Sequence, residues 1–285
     1  MNKPRISIIG PGRVGKALMR VFSQKKYQVL SVFHHKPISE SIVSLYPDTH
    51  FEMELPADEE EIGEITFITT SDNVIPEVAK ELAEKMESLV GKYVVHCSGT
   101  FGSDVLKPLK SKGAKVACFH PMKAVTPQTE DFKEIWFDLE GDEVVVSVLE
   151  HIADELGGHA LRVNAKDKKL LHLSATIASN YLVVLADLAA SVSDSGNINK
   201  SKILEVLLSL MENTTANISD IGIEEALTGP IARGDLATIE SHIKTLQKFP
   251  DILEIYKILG RKALNIVERN SDITQDHLKI KKILA

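Results

Sequence analysis

The sequence has little cysteine and no excess of positive charge. Two cysteines in 285 residues are too few for a disulfide framework, so we expect a reducing compartment. The formal net charge of −7 argues against a nucleic acid or an anionic membrane as a partner, because either would need a basic protein surface. Small-molecule chemistry is therefore the first hypothesis.

Long apolar runs are also scarce. The opening residues MNKPRISIIG hold no apolar stretch of signal-peptide length before the first glycine, so we expect a cytoplasmic protein. The most apolar later window, residues 173–192, includes Asn180, Asp187 and many small residues. We expect a buried core helix there rather than a membrane span.

The two cysteines do not form a metal-binding pattern. Cys97 follows His96, and Cys118 lies close to His120, but no paired spacing such as C-x-x-C is present. Alternation along a strand would also point His96 and Cys97 to opposite faces. We expect no metal.

The first half of the chain alternates strand and helix patterns. Residues 5–9 (RISII) form a β-branched run, and apolar residues at helical spacing follow until a second run at 28–33. Together they complete a β-α-β unit of the length that a parallel crossover needs. Further strand candidates are ITFITT (65–70), YVVHCS (93–98), KVACF (115–119) and HALRV (159–163). The pattern predicts an α/β domain over residues 1–163 with a doubly wound, mostly parallel sheet.

Strand patterns stop at Asn164. That residue is placed to cap a helix of about 28 residues that ends near Gly196. Further amphipathic segments follow at about 199–218, 236–248 and 250–269. The sequence therefore predicts an all-α second domain over residues 164–285.

The first strand leads into a glycine-rich turn of the form G-x-G-x-x-G. The motif alone is weak evidence, but here it joins a strand to a helix, where it binds a dinucleotide pyrophosphate. The first glycine permits the tight turn, the second admits the phosphates and the third lets the helix pack on the strand. A purely structural turn is the alternative. The expected cofactor-binding residues of this turn are Gly10, Pro11, Gly12, Arg13, Val14 and Gly15.

No acid ends the second strand, where NAD-binding domains place one to bind the ribose. His34, His35 and Lys36 stand there instead, and Arg13 can reach the same region. Cationic side chains pair with the 2′-phosphate of NADP, so NADP is favoured over NAD. A polar exit from the strand is the alternative interpretation.

The loop after the 65–70 strand offers polar side chains at the same sheet edge. Ser71 or Asp72 is placed to cap the next helix. Since ligands bind at the carboxyl ends of parallel strands, Thr70, Ser71 and Asn73 are also candidates to line the cofactor.

Two further strands bring reactive side chains to this edge. Ser98 follows one strand, and His120 with Lys123 follows another. His120 is either a structural loop histidine or a proton donor, since imidazole transfers protons near neutral pH.

The long helix carries a polar line on an otherwise apolar surface. His172, Thr176 and Asn180 are spaced by four residues. Either another buried helix or a ligand in the interdomain cleft is expected to satisfy them.

The segment ALTGPIARGD (226–235) interrupts the helical half. Gly229 and Pro230 predict a tight turn, Gly234 frees the backbone, and Asp235 is placed to cap the next helix. Only Arg233 lacks a structural explanation. It makes a salt bridge or it binds a carboxylate or phosphate.

Together these features resemble NADP-dependent Rossmann-type reductases with an all-helical second domain. Examples are 6-phosphogluconate dehydrogenase, the β-hydroxyacid dehydrogenases, pyrroline-5-carboxylate reductase and deazaflavin-dependent NADP reductase. The segments GPGRVG, HCSG, FHPM, ATIASNYLVVL and LTGPIARGD are more closely similar to a bacterial family of Rossmann-like oxidoreductases whose C-terminal half is a domain of unknown function. The resemblance implies a nucleotide-binding first domain, a helical dimerising second domain and an unassigned substrate.

One position departs from the better-known relatives. β-Hydroxyacid dehydrogenases carry a catalytic lysine four residues before an asparagine on the first long helix, whereas Thr176 precedes Asn180 here. We therefore do not expect that lysine mechanism, and His172 is the nearest alternative acid.

These inferences favour an NADPH-dependent reductase of a C=O or C=N bond in a small, carboxylated metabolite. His120 or His172 would donate the proton, Ser98 and Asn180 would position the substrate, and Arg233 would anchor it. A homodimer is expected. The alternatives are a non-catalytic NADP-binding protein and a deazaflavin-dependent NADP reductase.

Overall fold

A computed structural model describes residues 3–194 and 200–285, without the side chains of residues 194, 200 and 201. The chain divides into two compact units, Met1–Ser179 and Asn180–Ala285. The expected helix end at Gly196 lies outside the described residues. The domain boundary expected at 163/164 stays a prediction.

The first unit is built on one eight-stranded sheet, which confirms the predicted doubly wound α/β class. All neighbouring strands are parallel except the pair β6 and β7, and the strand order is β3-β2-β1-β4-β5-β6-β7-β8. The strands are β1 (Ile6–Ile9), β2 (Val29–Phe33), β3 (His50–Glu52), β4 (Ile65–Ile68), β5 (Tyr93–His96), β6 (Lys115–Pro121), β7 (Trp136–Gly141) and β8 (His159–Arg162).

Helices cover both faces of this sheet. They are α1 (Arg13–Gln24), α2 (Glu40–Val43), α3 (Ile75–Lys85), α4 (Lys107–Lys110), α5 (Glu143–Glu155) and α6 (Ala165–Ala175). Strand alternation divides the core into two layers: Phe67 of β4 packs with residues of α1 and α5, while Ile68 packs with residues of α3 and α4. Both faces are apolar, so the central strands β1 and β4 are buried along their whole length.

Two strands have no counterpart in the prediction. β3 is short and has exposed ends, and β7 (WFDLEG) mixes aromatic and acidic residues. Neither strand contains a run of the β-branched residues that are typical of strands, so the sequence pattern does not indicate them. β7 is the antiparallel strand that completes the candidate site.

The helix that begins at Ala165 follows its predicted cap, because the Asn164 side chain accepts from the N–H groups of Lys166 and Asp167. It runs through α6, a π-helical turn (Thr176–Asn180) and α7 (Tyr181–Asp194). The segment Ala165–Ser193 is long and apolar enough to cross a membrane, with a mean hydropathy of 1.5, and 6% of its most apolar window is buried. The expectation of a helix buried within the chain is therefore wrong.

The described part of the second unit consists of helices and short connections, and its longest helix is interrupted at Gly222, which has a φ of +83°. Besides α7 it contains α8 (Lys200–Ala226), α9 (Pro230–Arg233), α10 (Leu236–Leu246), α11 (Pro250–Asn270) and α12 (Gln275–Ile283). Its small core consists of Ile239, Leu264, Ile280 and Leu284. Many apolar side chains of α7 and α8 stay exposed.

Candidate active site

The glycine turn joins β1 to α1 with little free space around two of its glycines. Gly10 has a φ of +83°, and a Cβ there would lie 2.4 Å from Thr70 Cγ2. A Cβ on Gly15 would lie 2.4 Å from Thr69 Oγ1. A Cβ on Gly12 would meet no atom closer than 3.8 Å. Packing thus explains the outer glycines, whereas a Cβ on Gly12 would make only ordinary van der Waals contacts.

Helix α1 begins without a side-chain cap. Its N-cap is Gly12, its first turn holds no acid, and the Gly12 carbonyl accepts from Lys16. The N–H groups of Arg13 and Val14 make no backbone hydrogen bond among the described residues. Nearby, Thr70 Oγ1 is buried without a partner. Free amides and an unsatisfied hydroxyl fit a phosphate-bearing ligand.

The cationic segment follows β2 as predicted. His35 and Lys36 are exposed, and His34 is half-buried. His34 Nδ1 donates to the Lys36 carbonyl at 2.9 Å. Within the described residues, Arg13 and Lys36 make no ion pair. Their positive charges are therefore available to an anion.

The loop after β4 does not use its polar side chains as caps. A 3₁₀ turn (Asp72–Val74) precedes α3, and neither Ser71 nor Val74 at the two N-cap positions caps with its side chain. The capping role expected for Ser71 or Asp72 is thus wrong. Ser71 and Asn73 are exposed. That they line a cofactor stays a prediction.

His120 belongs to a buried chain of polar groups. It lies opposite Asp138 in the β6–β7 pair, and its Nδ1 is 2.5 Å from Asp138 Oδ2. The other carboxylate oxygen of Asp138 accepts from Lys168 Nζ. Lys168 and Asp138 have 0% and 3% of their side chains exposed, and His120 has 17%. Only the histidine end of this chain reaches solvent.

The surroundings of Lys168 leave it charged. Burial by itself lowers the pKa of Lys168, but the neighbouring Cys118 sulfur and Asp138 carboxylate raise it overall. Burial also raises the pKa of Cys118 to about 12 and lowers the pKa of His96 to about 4. At neutral pH these two groups are uncharged.

His172 brings a second imidazole to the same place. Its ring lies 5.9 Å from that of His120, centroid to centroid, and its Nδ1 is buried without a hydrogen-bond partner. A Cβ on Gly99 would lie 2.4 Å from His172 Nδ1 and 2.8 Å from His120 Nε2. The two nitrogens therefore converge on Gly99, whose missing side chain leaves room for them.

Ser98 lies in the turn just before Gly99. Its oxygen accepts from the N–H groups of Thr100 and Phe101, and the residue is 3% exposed. His96 is occupied on both ring nitrogens, by the Gly102 carbonyl and the Ser98 amide. Among the described residues no group of three or more His, Cys, Asp or Glu side chains is arranged to bind a metal.

The polar line on the long helix is broken. Thr176 Oγ1 donates to the His172 carbonyl, and the turn from Thr176 to Asn180 is π-helical. The α-helical spacing assumed between Thr176 and Asn180 therefore does not hold. Counting four residues back from His172 instead reaches Lys168, which sequence reasoning missed.

Arg233 lies in the second unit on a well-defined backbone. Gly229 and Gly234 have φ values of +94° and +69°, and Asp235 accepts from the Thr238 N–H, so the predicted turn and cap are confirmed. Arg233 is exposed. Of the two alternatives for it, a salt bridge is not found among the described residues.

His277 of α12 holds this segment in place. The residue is 4% exposed, its Nε2 lies 3.1 Å from the Ile231 carbonyl, and its Nδ1 accepts from the Thr274 N–H. Because a carbonyl can only accept, Nε2 carries the proton. Sequence patterns gave no indication of this contact.

Family models match both parts of the chain. A Rossmann-like domain matches residues 1–121, and the domain of unknown function DUF2520 matches residues 135–263. No curated protein matches the sequence.

Solved structures share the fold over most of their length. A Bacteroides fragilis protein provisionally described as an NADP oxidoreductase is 22% identical, with a TM-score of 0.74 over 92% of this chain and 98% of its own. Protein TM1727 of Thermotoga maritima is 26% identical, with a TM-score of 0.72 over 93% and 98%. A reductive aminase of Aspergillus terreus, solved with NADPH and ethyl-5-oxohexanoate, is 15% identical, with a TM-score of 0.69 over 99% and 100%.

These matches agree with the expected resemblance and with the observed sheet and helices. The chain is thus similar to Rossmann-like domains over residues 1–121 and to the DUF2520 family over residues 135–263.

Proposed function

We propose that the protein is an NADP(H)-dependent oxidoreductase that reduces a C=O or C=N bond of a small, carboxylated metabolite. The observation that carries this proposal is the His120–Asp138–Lys168 chain. His120 Nε2, which has no hydrogen bond among the described residues, lies beside Gly99 together with the unpartnered His172 Nδ1. This pair lies at the same carboxyl sheet edge as the uncapped start of α1. Two of the similar structures are described as an NADP oxidoreductase and as a reductive aminase in complex with NADPH.

The residues that would hold the cofactor belong to three loops. The free amides at the start of α1 would bind the pyrophosphate, with Gly12 leaving room for it. Arg13 and Lys36, with His34 and His35, would pair with the 2′-phosphate. The buried Thr70 hydroxyl would form a hydrogen bond with the bound nucleotide. Ser71 and Asn73 would line the nucleotide site.

Bound NADPH supplies a hydride, which carries two electrons to the carbon of the C=O or C=N bond. His120 in its imidazolium form gives its Nε2 proton to the oxygen or nitrogen of that bond and is left neutral. Asp138 stabilises the imidazolium through Nδ1. Water then returns a proton to Nε2, so the substrate gains two hydrogens overall.

The remaining residues would position the substrate. His172 Nδ1 is buried with no partner, so a hydrogen bond to substrate would repay its desolvation, and it is the alternative donor. Arg233 would bind the carboxylate, since its guanidinium is exposed, makes no ion pair within the described part of the chain, and is carried on a fixed backbone. Ser98 and Asn180 complete the proposed set.

We propose that two copies of the chain associate through the apolar surfaces of α6, α7 and α8. We also propose that the protein works in the cytoplasm. Exposed apolar residues on these helices include Leu170, Leu173, Ile177, Val183, Leu204 and Leu210. A surface of this kind is covered in a stable protein. Light scattering in detergent-free buffer should give twice the chain mass; recovery only from membranes or in detergent would contradict this assembly.

The test of function follows NADPH oxidation with 2-oxo acids, alone and with ammonia or small amines. We expect turnover with at least one substrate and a loss of about 100-fold or more in kcat for His120→Asn, with unchanged NADPH affinity. His151→Asn, at an exposed histidine, is the matched control. Nucleotide binding without turnover would instead favour a non-catalytic NADP-binding protein.

A further inference from the structure

We infer that Lys168 is a positioning residue that fixes the Asp138 carboxylate and, through it, the tautomer and direction of the His120 ring. This inference rests on the proposed role of His120 as the proton donor. Lys168 does not contact Gly99 or the open end of the site in any hydrogen bond of the described residues; its ammonium group bonds to Asp138. Its effect on the chemistry would therefore be indirect.

The two carboxylate oxygens of Asp138 are divided between two donors. Lys168 bonds to Oδ1, and His120 Nδ1 bonds to Oδ2. The carboxylate is 3% exposed, so water has little access to replace either donor. A carboxylate bonded at only one oxygen could rotate or take up a proton. The lysine removes that freedom.

The carboxylate in turn determines which His120 nitrogen carries the proton. An ionised carboxylate can only accept hydrogen bonds, so neutral His120 must be the Nδ1–H tautomer. Its Nε2 lone pair then points to the opening beside Gly99. After giving up the Nε2 proton, the ring is left in this tautomer and needs no rearrangement.

Lys168 is the cation that can perform this task. The ionisable groups that interact with it are Asp138, Cys118, Cys97 and His96. Both thiols and His96 are uncharged at neutral pH. Without Lys168, Asp138 would keep His120 as its single donor and could rotate or take up a proton. A protonated carboxyl group can donate to Nδ1, which would move the proton of neutral His120 to Nε2.

The sequence places Lys168 for this contact. Asn164 caps α6, and Lys168 stands one turn later, four residues before His172 on the same helix. Residues four apart share a helix face. One face of α6 thus supplies both the tether of Asp138 and the second imidazole of the site.

The direct test is the tautomer of His120, measured by ¹⁵N NMR of histidine-labelled protein and assigned with His120→Asn. In the wild type we expect the neutral ring to carry its proton on Nδ1. In Lys168→Met we expect a substantial Nε2–H population and a fall in kcat of about tenfold or more, with KM for NADPH within about twofold. Lys169→Met, at an exposed lysine of the same helix, should change neither.

A second variant separates positioning from folding. Lys168→Met with Asp138→Asn leaves no uncompensated charge and should restore the melting temperature that the single variant loses, while kcat stays low. An Nε2–H tautomer in the wild type, or an unchanged tautomer and kcat in a folded Lys168→Met, would overturn the inference. The expected tautomer in a protein that oxidises no NADPH would count against the proposed function instead.

Discussion

The two candidate site regions differ in how their charges are satisfied. In the first unit Lys168 and Asp138 are buried and paired, and His120 continues the chain to the surface. In the second unit Arg233 is exposed, makes no ion pair with any residue that the structure describes, and lies on a backbone fixed by glycines and His277. The first arrangement suits preorganised proton transfer, whereas the second suits capture of an anion from solvent. The predictions below test that contrast.

The largest effect is expected at the buried pair. Lys168→Met leaves Asp138 as an uncompensated buried anion, which should lower the free energy of unfolding by about 3–5 kcal/mol. Urea denaturation measures this loss. A change below about 1 kcal/mol would mean that the pair is far more hydrated than its burial indicates.

The second effect concerns acid stability of the first unit. Burial lowers the pKa of His96 to about 4 in the folded protein, against 6.5 for the ordinary group. As the pH falls from 6.5 the unfolded chain therefore binds a proton that the folded protein resists. Stability is full above about pH 6.5 and should fall by about 3 kcal/mol by pH 4 from this group.

The variant His96→Gln can still donate a hydrogen bond and should lack that part of the pH dependence. Urea denaturation at pH 7 and pH 4.5 compares it with the wild type. His151→Gln, at an exposed position, should keep the wild-type slope. Equal slopes for all three proteins would contradict the buried, neutral state of His96.

A smaller loss is expected from the contact that holds the Arg233 segment. His277→Ala removes the bond to Ile231 and leaves the Thr274 N–H unsatisfied, which should cost about 1–3 kcal/mol. Thermal unfolding measures this change, with His151→Ala, at an exposed histidine, as the control. If both variants melt alike, α12 does not stabilise the segment.

Arg233 itself should show the opposite behaviour. Arg233→Gln removes no ion pair found among the described residues and should change the unfolding free energy by less than about 0.5 kcal/mol, but it should raise KM for a carboxylated substrate about tenfold or more. Initial-rate kinetics with a 2-oxo acid provide the measurement. Destabilisation without a change in KM would assign Arg233 a structural role.

Sequence patterns predicted those features of the candidate site that depend on residues close together in the chain. The glycine turn, the cations after β2 and the caps at Asn164 and Asp235 all depend on residues close in sequence. Asp138 was not predicted as a site residue because its strand, β7, lacks a β-branched run. Its partners His120 and Lys168 are also far away along the chain. A four-residue step back from His172 would have reached Lys168, but nothing in sequence spacing shows that its charge is buried.

The long helix from Ala165 shows a case in which a sequence pattern predicted burial that the structure does not contain. Its apolar composition predicted burial, and its residues are apolar on nearly every side, yet 6% of the window is buried in the single chain. Hydropathy predicts that an apolar helix is buried, but it does not show whether the contacts that bury it come from the same chain.

The most direct test of the account is calorimetric titration of the purified protein with NADPH and NADH. It predicts saturable binding of one NADPH per chain, at least about tenfold tighter than NADH, with this preference lost in Lys36→Glu. Absence of binding by either nucleotide at millimolar concentration would contradict the central claim. An unchanged preference in Lys36→Glu would contradict the proposed 2′-phosphate contact.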